Sequence, residues 1–232
     1  MDSERSRWIG DAARIATSGR WDAVNERLKE MAANPGGPDN AWWAELFLGL
    51  CSQVFSEYLL LKRAYEEGAA RDVSVLAWRA RNLLELWVWS MYCARSRENA
   101  RRLYEDAARD INGVLAAFKK WGEATAQTAE WFEPGTSAQE QVSNRALSDG
   151  IASVNGRFKE VREAAEEVGI GDDFNLYNRI LSKWAHPTAM QIRFSSNDEL
   201  TAWQRDSSFS NGCLFFAGAF SALQERIFLT TP

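Results

Sequence analysis

The stretch Val73-Ser-Val-Leu-Ala-Trp-Arg-Ala-Arg-Asn-Leu-Leu-Glu-Leu-Trp-Val-Trp-Ser-Met-Tyr-Cys-Ala94 decides the fold. Leu76, Leu83, Leu84, Leu86, Trp87, Val88, Trp89, Met91 and Tyr92 surround it with apolar side chains, which predicts a helix in the interior of a bundle. Arg81 and Glu85 interrupt that pattern at i, i+4, so both fall on one face. A charge on such a helix must be paired or must line a polar cavity. Two readings are open. The pair is intrahelical and reaches the surface, or Arg81, Glu85 and the distant His186 converge on one pocket, walled by Trp78 with the Asn82 amide nearby.

Outward from this segment the chain reads as helix almost throughout. Residues 4–17 and 20–33 form two short amphipathic segments divided by Ser18-Gly19, and the turn cluster from Asn34 to Asn40 closes them off. A long helix is predicted from Ala41 to Glu67, with Trp43, Phe47, Leu50, Val54, Tyr58 and Leu61 at helical spacing. Gly68 to Asp72 turns the chain into the central stretch, and a further helix follows over Arg97–Trp121. Glu133-Pro134-Gly135-Thr136 is another breaker, after which a charge-rich helix is predicted from Ala138 to Val168. Gly169 and Gly171 end it, and Asp172 or Asp173 is placed to cap the next helix. From Pro187 to Asn211 the periodicity is lost, with residues 190–194 reading as a short extended piece. Gly212–Phe228 is a last, apolar helix. The prediction is an all-α protein: an irregular bundle of long helices over residues 41–232, with an N-terminal helical pair (1–34) too short for an independent domain.

Composition narrows the function classes. At 232 residues, 46% apolar and 25% charged, the chain is ordinary globular material that can bury a sizeable core. A net charge of −5 argues against a broad DNA-binding surface, though not against a local basic pocket. Of 27 basic residues only six are lysine, so cationic chemistry rests on guanidinium, suited to bidentate contact with carboxylate or phosphate. Genomic base composition accounts for the same ratio. Cys51, Cys93 and Cys213 form no CxxC pair and fit a reducing compartment. The charged N-terminus has no signal-peptide pattern, and the apolar runs Leu83–Ala94 and Gly212–Phe220 are too short to span a bilayer. A soluble, cytoplasmic protein is expected. The 11 tryptophans sit mostly at apolar helix positions, which favours core packing or a subunit interface over base stacking.

Chemistry concentrates in Tyr177-Asn-Arg-Ile-Leu-Ser-Lys-Trp-Ala-His-Pro-Thr188, which carries the only histidine. Imidazole is the side chain best suited to proton transfer near neutral pH. Arg179, Ser182 and His186 are spaced to share one helix face. Pro187 disfavours α conformation at His186, so the helix should end there, where the dipole favours a cation. A di-iron bundle needs Glu-x-x-His motifs, and the residue at that offset is Lys183. One histidine and three scattered cysteines do not supply a zinc site, and no phosphate-binding glycine loop or nucleophile elbow is present. Neither a metal nor a cofactor is expected.

An Arg-x-x-x-Glu on an interior helix, followed about a hundred residues later by Tyr-x-x-x-Leu-Ser-x-x-x-His, resembles a family of bacterial helical proteins. It is similar, more distantly, to the HEPN superfamily, named for the higher eukaryote and prokaryote nucleotide-binding domain. The matched positions are Arg81 and Glu85, then Tyr177, Leu181, Ser182 and His186, over roughly residues 70–190. Many HEPN proteins are metal-independent ribonucleases with an arginine four to six residues before a histidine near a helix end. Arg179 and His186, with six residues between them, fall at the edge of that pattern. Ile180 departs from it, because the residue after that arginine is usually polar. The resemblance implies a helical fold and a ribonuclease of a defence or toxin system acting on RNA or a nucleotide. His186 would be the general acid or base, and Arg179 or Arg81 would stabilise phosphate charge beside Glu85. It also implies a homodimer, for which Gly212–Phe228 offers surface. The competing reading is a non-catalytic interaction module in which Arg81, Glu85 and His186 form a buried polar network.

Overall fold

A computed structural model describes residues 2–33, 38–68, 73–125, 157–186, 188–194 and 196–229, with residues 137, 140, 141, 144 and 148 besides. Every regular element among the described residues is a helix: α1 (Asp2–Thr17), α2 (Arg20–Ala33), α3 (Pro38–Glu67), α4 (Val73–Arg95), α5 (Arg97–Thr125), α6 (Val161–Val168), α7 (Gly171–Ala185), α8 (Ala189–Phe194) and α9 (Asp198–Leu229). The all-α class expected from the sequence is the one observed. The chain divides into two compact units, Met1–Ser96 with Val161–Pro232 and Arg97–Glu160.

In the first unit α4 is the hub. It packs against α3, α6, α7 and α9, and its Leu76, Ala77, Ala80, Leu83, Leu84 and Val88 are all buried. The N-terminal pair belongs to this unit, with α1 against α9 and α2 against α3. Aromatic contacts tie the long helices together. Tyr58 of α3 stacks on Phe216 of α9 with ring centroids 4.1 Å apart, Trp87 of α4 lies on Phe215 at 5.7 Å, and Trp21 of α2 stacks on Phe55 at 4.6 Å. Cys51, Cys93 and Cys213 are buried free thiols. Burial pushes Cys51 and Cys213 up to about 12, and Cys93 upward as well.

Two glycines allow α9 to lie this close. A Cβ at Gly212 would stand 2.3 Å from Leu61 Cδ2, and one at Gly218 would stand 2.5 Å from Nε1 and 2.8 Å from Cε2 of the Trp87 indole. The large apolar residues offered by the sequence as interface surface, Phe215, Phe216, Phe220, Leu223 and Ile227, are buried inside the unit.

Four expectations require correction. Residues 198–211 belong to α9, which is helical from Asp198. Its buried face there is built from Thr201, Gln204, Ser207 and Ser208, with Phe209 the one large apolar residue among them, so the periodicity exists but is mostly polar. Arg5 of α1 reaches it, donating from Nη2 to Ser207 Oγ at 2.8 Å. Residues 190–194 are part of helix α8 rather than extended chain, its start anchored by Ile192 N–H donating to the Thr188 carbonyl at 2.9 Å. The helix expected over 138–168 falls largely outside the described residues; within them residues 140, 141, 144 and 148 are helical as expected, Arg157–Glu160 are not, and α6 starts at Val161. The breaker at 133–136 also lies outside them, as does most of the 34–40 turn cluster. Lastly, Asp172 and Asp173 do not cap α7. They sit in its first turn, the N-cap is Ile170, and no side-chain cap bond forms.

One segment, Ala41–Glu67 within α3, is long and apolar enough to cross a membrane by length and composition alone. Its Trp43, Phe47, Cys51, Val54, Tyr58 and Leu61 are packed inside the first unit, against α2, α4 and α9. Core helices of globular proteins pass the same test.

The second unit is built on α5. Asp106, nearly buried, accepts bonds from Arg102 Nε (3.1 Å), Arg109 Nη1 (2.7 Å) and the backbone N–H of Lys159 (2.8 Å). Arg102 Nη2 also donates to the Arg157 carbonyl at 2.6 Å, so residues 157–160 are clasped along α5. Ile111, Val114, Phe118 and Trp121, at helical spacing, are exposed on this helix.

The glycine contacts make a comparison testable. Alanine is favoured over glycine in a helix by about 1 kcal/mol, and overpacking costs about 1–3 kcal/mol. At Gly49 an added Cβ meets nothing within 4 Å. Gly49→Ala should therefore raise the melting temperature by about 2–4 °C, whereas Gly218→Ala, pressing on a rigid indole, should lower it. Thermal melts showing the two variants shifted alike would refute this account of the α4–α9 contact.

Candidate functional site

The site lies where α7 packs against α4 near the half-buried Arg81 and Glu85. Three local features place α7. Gly169, at φ +86°, lets the chain leave α6, and the Gly169 and Ile170 N–H groups bond back to the Glu166 and Ala165 carbonyls at 3.2 and 2.9 Å. Asp172 and Asp173 put negative charge at the positive end of the new helix. Phe174, Leu181 and Trp184 supply its buried side. The helix ends where Pro187 requires it to. His186 is extended (φ −106°, ψ 152°), its N–H still donating to the Ser182 carbonyl at 3.3 Å.

Arg81 joins the two helices. Its Nη2 lies 2.9 Å from Glu85 Oε1 on the same helix, and its Nε donates to Asn178 Oδ1 of α7 at 2.8 Å. The Ser182 hydroxyl donates to that amide oxygen at 3.4 Å. The Arg81 and Glu85 side chains are 27% and 31% exposed, so the pair is partly desolvated. Burial raises the Glu85 carboxyl above its ordinary range, and the Arg81 guanidinium offsets part of that rise. Three of the five guanidinium N–H donors are left without a bond in this set.

His186 stands outside that network. Its ring is exposed and perpendicular to the indole of Trp78, with centroids 6.0 Å apart, and makes no hydrogen bond to a described residue. Trp78 precedes Arg81 by one turn, so His186 lies on the same side of α4 as the Arg81–Glu85 pair. Arg179 is exposed, on the solvent side of α7 with Lys183 and His186, and has no ion pair among the described residues. Tyr177 turns the other way, edge-on to Phe215 of α9 at 5.1 Å, and burial followed by the Asp173 and Glu4 charges raises its hydroxyl. Among the described residues no group of three His, Cys, Asp or Glu side chains could hold a metal ion.

The structure thus brings Arg81, Glu85, Asn178 and Ser182 together, sets His186 at their edge against Trp78, and leaves Arg179 facing solvent. Asn178 is the member that sequence reasoning passed over. The signal was present: on a helical wheel Asn178 falls beside the buried arc of Phe174 and Leu181, and an amide half-buried there needs a partner. No family model, curated protein or solved structure matches the chain.

Two measurements test this geometry. Asn178→Ala strands the Arg81 Nε–H and should cost about 1–3 kcal/mol, while Arg179→Ala, at an exposed site, should stay within about 0.5 kcal/mol. Chemical denaturation of both variants checks the difference, and equal losses would place the inter-helix bond elsewhere. For Glu85, a carboxyl raised in the folded state means that the native protein holds its proton more tightly than the unfolded chain. Stability must then fall as pH rises from the ordinary 4.5 through the raised value. Glu85→Gln lacks that proton, so melts at steps from pH 4.5 to 7 should show wild type losing ground to the variant. A gain instead would mean that Arg81 outweighs burial.

Proposed function

We propose that the protein is a metal-independent, HEPN-like ribonuclease whose proton-transfer group is His186. One observation carries the reading: the chain's single imidazole stands exposed at the end of α7, on the same solvent face as Arg179 and Lys183 and against the Trp78 indole. An imidazole there is open to substrate. In the reaction, His186 takes the proton of an RNA 2′-hydroxyl, the 2′-oxygen bonds to the adjacent phosphorus, and the bond from phosphorus to the 5′-oxygen breaks. Solvent returns a proton to the leaving oxygen. The products are a 2′,3′-cyclic phosphate and a free 5′-hydroxyl. Arg179 is the group placed to neutralise the crowded phosphate charge. Arg81 and Glu85 act as positioning residues, since the guanidinium is already engaged by Glu85 and Asn178.

That engagement favours a second reading. An Arg–Glu–Asn–Ser node that pins α4 to α7 also serves a non-catalytic interaction module, and in that case no chemistry follows. The deciding experiment sets purified wild type against His186→Ala on mixed RNA in chelator. A ribonuclease cleaves under these conditions and leaves cyclic phosphate ends. His186→Ala then slows cleavage by about a hundred- to ten-thousand-fold with little change in melting temperature, because the ring is exposed. An inert wild type would favour the module instead, whose node does not include His186.

A further inference from the structure

Trp78 presents an indole where the fold has little use for one. α4 is the hub of its unit, yet Trp78 is 43% exposed, and its ring contact is with the exposed His186. The nearby cations of α4 are already engaged. Arg79 Nη1 lies 3.0 and 3.2 Å from the two Glu57 carboxylate oxygens, and Arg81 is held by Glu85. Those of α7 are not: Arg179 and Lys183 are exposed and have no carboxylate partner among the described residues. Residues 179, 183 and 186 fall within one arc of the helix and span about 10 Å along its axis. Asp172 lies on the same arc, which ends the cationic stripe toward the start of α7. An exposed aromatic surface, an adjacent imidazole and two cations without partners suit a planar, anionic ligand, and a nucleotide is the one that supplies both parts.

We infer that Trp78 seats an unpaired nucleobase of single-stranded RNA, while Arg179 and Lys183 carry the strand's phosphates toward His186. This rests on the ribonuclease reading for what happens next, not for the binding itself. A base stacked on the indole sets its own sugar and phosphate beside the imidazole, so Trp78 chooses which nucleotide meets the proton-transfer group. Base stacking on an aromatic side chain tolerates any base, because every base has a π-face. A duplex is refused, because its bases already stack on each other and the faces Trp78 needs are covered.

The test measures binding apart from cleavage. Full-length His186→Ala protein is titrated in chelator against a labelled single-stranded RNA octamer and against the same sequence in a hairpin stem, by fluorescence anisotropy. The single strand should bind more tightly. Adding Trp78→Ala should weaken it about 5- to 150-fold with little effect on the stem, and Trp78→Phe should restore most of the loss. Trp78→Leu keeps apolar bulk without a π-face, so it should bind like Trp78→Ala even if the alanine variant is unstable. Arg179→Ala and Lys183→Ala should each flatten the salt dependence by about one phosphate's worth. Single-strand binding that ignores Trp78, a Leu variant that binds like Phe, or no single-strand preference in the parent would overturn the inference. A wild type that cleaves RNA yet shows any of these keeps the ribonuclease reading and loses the platform. One that binds single strands through Trp78 but cuts nothing keeps the platform and loses the ribonuclease.

Discussion

The close approach of α9 to α4 is the contact from which the other placements follow. Gly218 removes the side chain that would meet the Trp87 indole of α4, and Gly212 does the same against Leu61 of α3, while Phe215 packs on Trp87 and Phe216 on Tyr58 of α3. With α9, α3 and α6 packed against α4, the hub still keeps positions that are not fully enclosed. Trp78, Arg81 and Glu85 are among them, and α7 packs against the same helix. A guanidinium so placed is neither free in water nor sealed in the core. It needs an acceptor from the incoming helix, and Asn178 supplies it at 2.8 Å. The polar node is therefore a consequence of apolar packing elsewhere.

How much of this could be read beforehand depended on which physical signal each segment carries. α3 and α4 were legible because their buried positions are Leu, Val, Phe and Trp at helical spacing. The first half of α9 was not, since Thr201, Gln204, Ser207 and Ser208 make up most of its buried face and a hydrophobic pattern cannot see polar side chains. The end of α7 at His186 followed from Pro187. Its start did not follow from the aspartates, because the turn is made by Gly169 in a left-handed conformation and the aspartates serve the dipole instead. The ion pair at positions 81 and 85 could be read from spacing along one helix. Its partnership with Asn178 could not, because it depends on which face of α7 meets α4, and that is decided by tertiary contacts far from either residue.

The separation of His186 from the Arg81 node matters for any chemistry at this surface. A histidine locked into a buried network by hydrogen bonds would have a fixed tautomer and little access to solvent. Here the ring meets one indole and is otherwise exposed, so no hydrogen bond to a described residue fixes its orientation. Glu85 has the opposite character. It is half-enclosed, burial raises its carboxyl, and a single guanidinium compensates it. Two titratable groups on one side of α4 thus differ in kind, Glu85 half-enclosed and His186 exposed.

The three cysteines bear on how the first unit moves. Cys51 sits on α3, Cys93 near the end of α4 and Cys213 on α9, each without solvent contact and each with its thiol shifted away from the reactive thiolate. A thiol so placed meets an alkylating reagent only while its helix is lifted from its neighbours. The native chain therefore carries three internal clocks, one on each of the helices that form its central packing. Their relative rates of labelling would distinguish a unit that opens as a whole from one in which α9 peels away first.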